Sequence, residues 1–332
     1  MLLHRHNQLS FLVAITILIS ISGSQGFSSV GSTWTEADLL NERNINNDDG
    51  NNKDFAAVTK SREIKIRAEL VDGCKATDQF FATTKDSNKN NSSDDISVTT
   101  KIVHFQRHGQ GYHNLLGDIL RDVGVRPNIN SNDTAVNPWR RSEIIDSPLT
   151  ELGKQQCERQ QKVASKLAPQ VMIVSPLLRA VQTAKLSFAN YTTDRAGSSD
   201  IPWIAHEGCR EDLGWYLCNK RRNLSEIKND FPELQFLPSE ITEHDEIFNH
   251  DNFESETSKS NRIYDFLATF ISRREEQNIA VVTHSSWLFH MCNTVMDCGG
   301  DANLTSWFQT GEIRSMKLTF CNVSSNTNSK TS

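Results

Sequence analysis

Arg107-His108-Gly109 places a cation and an imidazole side by side, directly after the apolar run Ile102-Val103-His104-Phe105. Neutral imidazole can attack phosphorus and form a phosphohistidine. An adjacent guanidinium fork matches phosphate oxygens. Gly109 permits a tight turn and close approach of an anion to the backbone. Groups of the same character recur far along the chain: Arg179 just after Ser175-Pro176, His284 after Val281-Val282-Thr283, and the carboxyls Glu207 and Glu211 after the stretch Ile201 to Ala205. A phosphate monoester needs such a set: several cationic donors, a nucleophile in line with the leaving oxygen, and an acid to protonate that oxygen. Taken singly, each has an ordinary alternative, such as a loop Arg or a structural His. Their placement on the elements that carry them distinguishes the two readings.

Those elements can be read from hydrophobic period and turn residues. Lys101 to Phe105 is a predicted buried strand running into the Arg-His-Gly loop. Asp146-Ser147-Pro148-Leu149-Thr150 is a turn, with Thr150 able to cap a helix from about Glu151 to Leu167. Val171 to Val174 is a second strand, followed by a helix from Leu177 to about Leu186. Ile201 to Ala205 is a third. Asn261 to Gln277 has apolar residues at helical spacing. Ile279 to Thr283 is another strand, followed by a helix from Ser285 to about Met296, and Ile313 to Phe320 alternates as a late strand. Strands alternating with helices predict an α/β fold, a three-layer α/β/α sandwich with a mostly parallel central sheet. In such sheets, sites gather at the carboxyl ends of strands. The Arg107-His108, Ser175-Arg179 and His284 clusters therefore converge for a topological reason.

Four blocks in order resemble the motifs of the histidine phosphatase superfamily, in its phosphoglycerate mutase-like branch. Arg107-His108-Gly109-Gln110-Gly111-Tyr112-His113-Asn114 is similar to the family's first motif. Asp146-Ser147-Pro148-Leu149-Thr150-Glu151-Leu152-Gly153 is similar to its D-x-P-L-T-x-x-G turn. Ser175-Pro176-Leu177-Leu178-Arg179-Ala180-Val181-Gln182-Thr183-Ala184 is similar to S-P-x-x-R-A-x-Q-T-A, and Val281-Val282-Thr283-His284-Ser285 to the second-histidine motif, with Ser285 where Gly is more usual. The resemblance spans about Lys101 to Phe320. It implies a phosphoglycerate mutase-like fold, His108 as the phosphorylated residue, His284 as a catalytic donor, and Arg107, Asn114 and Arg179 as substrate-binding groups. It also implies an acid in an E-x-x-G pattern, which Glu211-Asp212-Leu213-Gly214 fits; Glu207 is the second choice. Gly111 and Ser285 depart from the branch with R-H-G-x-R-x-P and H-D signatures. The basic residues Arg210, Lys220, Arg221 and Arg222 read as a solvated loop, and the pocket walls are expected from Ile119 to Asn137 and Asn223 to Ser260.

The implied reaction is phosphomonoester hydrolysis through phospho-His108 with Glu211 as general acid. A phosphoglycerate mutase-like phosphomutase is the alternative, and an inactive phosphate-binding or scaffold protein on the same fold is the second. The expected partner is a phosphorylated small molecule. No metal and no cofactor is called for, since guanidinium and imidazole groups supply the positive charge.

Composition bounds these readings. The 332 residues carry 35 Lys and Arg against 41 Asp and Glu, a net charge of −6, with a mean hydropathy of −0.50. No basic run suggests nucleic-acid binding. Residues 1–26 read as a signal peptide: His4, Arg5 and His6, then an apolar run from Phe11 to Ile21 that is short for a span, then small residues. No membrane span is expected in the mature chain, which points to the secretory pathway; Phe27 after the small residues also resembles presequences for complex plastids. Residues 27–100 read as a low-complexity, largely disordered extension, with some helical periodicity from Phe55 to Phe81. The catalytic domain is expected over 101–322 and a disordered tail over 323–332. Asn-x-Ser/Thr sequons begin at Asn90, Asn91, Asn132, Asn190, Asn223, Asn303 and Asn322. Seven cysteines allow up to three disulfides in an oxidising lumen.

Overall fold

The computed structural model describes residues 62–73, 75, 98–191, 201–237 and 241–322. The expected signal peptide, the tail over 323–332 and most of the extension lie outside these residues. A seven-stranded sheet runs through the molecule in the order β1-β7-β2-β6-β3-β4-β5. Its strands are β1 (Ile64–Leu70), β2 (Val98–Arg107), β3 (Val171–Val174), β4 (Trp203–Ala205), β5 (Gln235–Phe236), β6 (Asn278–Thr283) and β7 (Ile313–Asn322). β2, β6, β3, β4 and β5 are parallel to one another, while β7 runs antiparallel to both β2 and β1.

The central strands β3 and β6 are buried at every position, as strands covered on both faces must be. Alternate residues feed two cores. Ile173 and Val281 join Phe105, Ile263, Phe266 and Trp287 on one face, whereas Met172, Val174, Ala280 and Val282 join Ala180, Val181 and Ala184 on the other. The first core is closed by helices α5 (Glu256–Asp265) and α6 (Ser285–His290), the second by α2 (Glu151–Ala164) and α3 (Leu178–Ser187). This is the expected three-layer sandwich. Phe105 is fully buried with its ring 6.2 Å from that of Trp287; truncating such a side chain to Ala costs about 3–5 kcal/mol. A third cluster packs α1 (Tyr112–Asp122) through Leu116 and Leu120 against Ile129, Trp139 and Ile144.

The fold corrects several expectations. Ile64–Leu70, within the stretch expected to be disordered with helical character, is an edge strand paired along its whole length with β7. Its period is 2: Ile66 and Ala68 are buried while Lys65, Arg67 and Glu69 are exposed. The sheet therefore begins before residue 101, and β2 itself begins at Val98. α1 was not expected, and the helix expected over 261–277 starts at Glu256 and loosens into a π-helical turn over Phe266–Ile271. α6 continues likewise into a π-turn over Met291–Val295. The cysteines among the described residues, Cys157, Cys209, Cys218, Cys292, Cys298 and Cys321, are free thiols.

His104 stands inside the sheet, bonded to Ser315 of β7 and Asn278 of β6. Burial lowers its pKa to about 4 despite the Asn278 bond. It is a neutral cross-strand tie and takes no part in the site.

Candidate active site

β2 delivers Arg107 to the carboxyl edge of the sheet, and the chain turns at once into α1. The turn is fixed from several sides. His108 N–H donates to the Thr283 carbonyl at 3.0 Å, and Gly311 N–H donates to the His108 carbonyl at 3.1 Å. Gly109 N–H donates to Thr183 Oγ1 at 2.9 Å. A Cβ at Gly109 would meet the Gly153 carbonyl at 2.5 Å, so this approach of the turn to α2 requires glycine. The block around Asp146 has a matching structural role. Thr150 caps α2 by accepting from Gly153 N–H, and Gln182 of α3 accepts from Leu149 N–H.

His108 is 1% exposed. Its Nδ1 lies 2.7 Å from the Gly109 carbonyl. A carbonyl only accepts, so Nδ1 carries the proton and the lone pair sits on Nε2. Nε2 accepts from Arg179 Nε at 3.3 Å. Burial, then the charges of Arg179 and Arg107, push the His108 pKa well below the usual imidazole range, so the ring is held neutral.

Arg179 lies in the first turn of α3 and is fully buried. Its other nitrogens donate to the Cys218 carbonyl at 2.6 Å and to Asn219 Oδ1 at 2.9 Å. Asp146 holds the start of this helix: Oδ1 accepts from Leu178 N–H at 2.7 Å and Oδ2 from Arg222 Nε at 3.1 Å. Asp146 has φ +45°, a left-handed conformation that Asp tolerates better than most side chains.

His284 ends β6 as the residue before α6, with its ring 5.1 Å from that of His108. Its Nε2 is 2.7 Å from Ser175 Oγ, and its buried Nδ1 has no hydrogen-bond partner. Its pKa also lies well below the ordinary value, through burial first and then Arg179 and His108. Thus the two imidazoles and Arg179, distant in sequence, meet as expected.

A cavity of about 300 Å³ opens beside them, lined by Arg107, Asn114, Glu211 and Asp212 among others. Arg107 also donates to the Phe308 carbonyl, and Asn114 Oδ1 accepts from Gly111 N–H at the start of α1. Glu211 reaches the cavity from the loop after β4. Its Oε1 accepts from Trp287 N–H at 3.1 Å and its Oε2 from Ser286 N–H at 3.3 Å, which fixes the carboxylate on the first turn of α6, next to His284. Glu207 is placed otherwise. Its oxygens pair with Arg221 at 2.8 Å and Arg210 at 2.9 Å, and it is absent from the cavity wall.

The basic loop differs from expectation. Arg210 and Arg221 are buried, not solvated; Arg210 pairs with Asp245 as well as Glu207, and Arg221 donates to the carbonyls of Thr242 and His244. Buried guanidinium demands such partners. The cavity walls also come from elsewhere. Gln110, His113, Asn114, Gly117, Asp118 and Arg121 form one set of lining residues, with Trp139 and Tyr216 besides; of the two expected segments, 119–137 contributes Arg121 and 223–260 contributes none. The first set recurs at the spacing of one helical face, a signal present in the sequence.

Comparison with known proteins identifies the family of the chain. A family model described as histidine phosphatase superfamily (branch 1) matches residues 135–319. That range holds Arg179, Glu211 and His284; Arg107 and His108 lie upstream and reach the same place through the fold. The chain is similar to the phosphoglycerate mutase-like protein of Arabidopsis thaliana, 31% identical over 245 residues that cover 66% of this chain and 84% of that one. Phosphoglycerate mutase-like protein 1 of the same plant is also 31% identical over 245 residues, covering 66% and 81%. Among solved structures, the alpha-ribazole phosphatase from Shigella flexneri aligns at 18% identity and a TM-score of 0.39, over 64% of this chain and 89% of that one.

Proposed function

The chain belongs to the histidine phosphatase superfamily, and we propose that it hydrolyses phosphomonoesters through a phosphohistidine on His108. The observation that carries this reading is the tautomer of His108: Nδ1–H is tied to its own backbone and the neutral Nε2 lone pair faces Arg179. In the first step Nε2 attacks phosphorus, the bond to the leaving oxygen breaks, and Glu211 gives that oxygen its proton. In the second, Glu211 takes a proton from water as the water oxygen attacks phosphorus, and the P–N bond returns its electrons to Nε2. Arg107, Arg179 and Asn114 hold the phosphoryl oxygens. His284 is assigned the tautomer in which Nε2, 2.7 Å from Ser175 Oγ, accepts from that hydroxyl, so that Nδ1–H is the donor to a phosphoryl oxygen.

The cavity wall carries charges of both signs, most of them paired. Asp118, Glu211 and Asp212 share the cavity wall with Arg107 and Arg121, and Arg121 is already paired to Asp118 at 2.5 Å. Trp139 and Tyr216 add aromatic wall to the cavity. A secretory address fits the N-terminal apolar run, and the sequon residues Asn132, Asn190, Asn223, Asn303 and Asn322 are all exposed.

The test is a panel of sugar, alkyl and aryl phosphates assayed for released phosphate, alongside an isomerisation assay with phosphoglycerates. Release by the wild type and none by His108→Ala is expected. Isomerisation without release would replace this reading with a mutase. Phosphate binding with neither reaction would leave a binding protein.

A further inference from the structure

A third imidazole stands at the site, five positions after His108. The His113 ring centroid is 5.4 Å from that of His108, about as close as the His284 ring at 5.1 Å. His113 lines the cavity, and its Nδ1 is buried with no hydrogen-bond partner. An unsatisfied buried nitrogen costs roughly 1–3 kcal/mol, so its retention asks for a compensating contact.

The surroundings are arranged to hold the ring there. A Cβ at Gly111 would lie 2.7 Å from His113 Nδ1, so any larger residue at 111 would displace the imidazole. Trp139 Nε1 donates to the His113 carbonyl at 3.2 Å and pins the first turn of α1.

Resting on the phosphatase reading, we propose that His113 is a further phosphoryl-contacting residue, whose imidazole N–H donates to an oxygen of the group bound at His108. The group would then lie between three imidazoles. Burial first, and then the charges of Arg179, His108 and Arg107, keep His113 neutral, and a neutral ring still offers one N–H donor.

Inorganic phosphate is the probe, because its binding can be measured whether or not any ester is turned over. Calorimetric titration of wild type, H113F and H113N should show phosphate affinity about tenfold weaker in H113F, or about 1.4 kcal/mol, with part of the loss recovered in H113N, which keeps a donor. kcat/KM for an aryl phosphate should fall in parallel. Should H113F not fold, H113L against H113N reads the same difference. Phosphate affinity within twofold of wild type in a folded apolar variant would overturn the proposal, even if KM for an ester rose, since that pattern places His113 on the leaving group alone. Absence of hydrolysis in the wild type would instead fall on the proposed reaction.

Discussion

Arg179 Nε donates to His108 Nε2 across 3.3 Å, so the guanidinium is bonded to the lone pair that, on the proposed mechanism, attacks phosphorus. An arriving phosphate takes over the guanidinium's donors and frees the imidazole. Arg179→Ala should therefore cost roughly 10²–10³ in kcat/KM, the range for removing one preorganised transition-state donor. Arg179→Lys should recover little, because a single ammonium cannot donate to the phosphate, the Cys218 carbonyl and Asn219 together. Steady-state kinetics on an aryl phosphate measures both; near-wild-type activity in Arg179→Lys would contradict this account.

Two carboxylates on one loop should behave oppositely. Glu211→Gln should lower kcat by about 10²–10⁴ for poor leaving groups, and less for nitrophenolate, which needs no proton. Glu207→Gln should chiefly destabilise the fold, because it leaves Arg210 and Arg221 short of a buried counter-charge; breaking such a pair costs about 3–5 kcal/mol. Chemical denaturation and a leaving-group series on both variants separate the cases. A large kcat loss in a stable Glu207→Gln would reverse the assignment.

Asp146 touches no part of the cavity wall, yet its loss should reach catalysis through the start of α3. Asp146→Ala removes the acceptor for Leu178 N–H and the partner of Arg222. A cost of about 2 kcal/mol is expected, within the range for lost caps, together with a reduced kcat/KM as Arg179 shifts. Asp146→Asn should be milder, since Asn tolerates the left-handed backbone and keeps an acceptor. Thermal melts and kinetics would show the order.

Acid should destabilise the fold before it reaches the carboxylates. His104 is buried and His206 is half-buried, and burial lowers each pKa to about 4. The unfolded chain binds their protons near pH 6.5, so it holds more protons than the native state between about pH 6.5 and 4. Their contribution to stability is complete above that window and is lost as pH falls through it. Each group adds up to about 1.4 kcal/mol per pH unit to the slope. Urea unfolding at pH 7 and pH 5 measures the drop. His104→Gln should be less stable at pH 7 and show a shallower dependence; an unchanged slope would count against this assignment.

Much of this site was legible in the one-dimensional pattern. Each of the three convergent clusters sits where an apolar run gives way to turn chemistry: Phe105 before His108, Val174 before Ser175, Thr283 before His284. Strand period and caps such as Thr150 over α2 are local properties, set within about one helical turn, so residue order reveals them. The family resemblance then supplied roles, and the fold brings those residues together. β1 was misread for the converse reason. Ile64, Ile66 and Ala68 alternate, but only pairing with β7, from the far end of the chain, makes that alternation a strand.

Sequence alone determined that strands alternate with helices, and that an imidazole, a guanidinium and a second imidazole stand at strand ends sharing one sheet edge. Only tertiary structure decided which of Glu207 and Glu211 faces the cavity. Both are carboxyls on the same short loop and both are buried. They differ because Arg210 and Arg221 claim the first, while the start of α6 orients the second beside His284. It also set His113 against the nucleophile, a position that depends on where the first turn of α1 falls relative to β2. Partner choice of this kind is fixed by long-range packing, and no period in the chain encodes it.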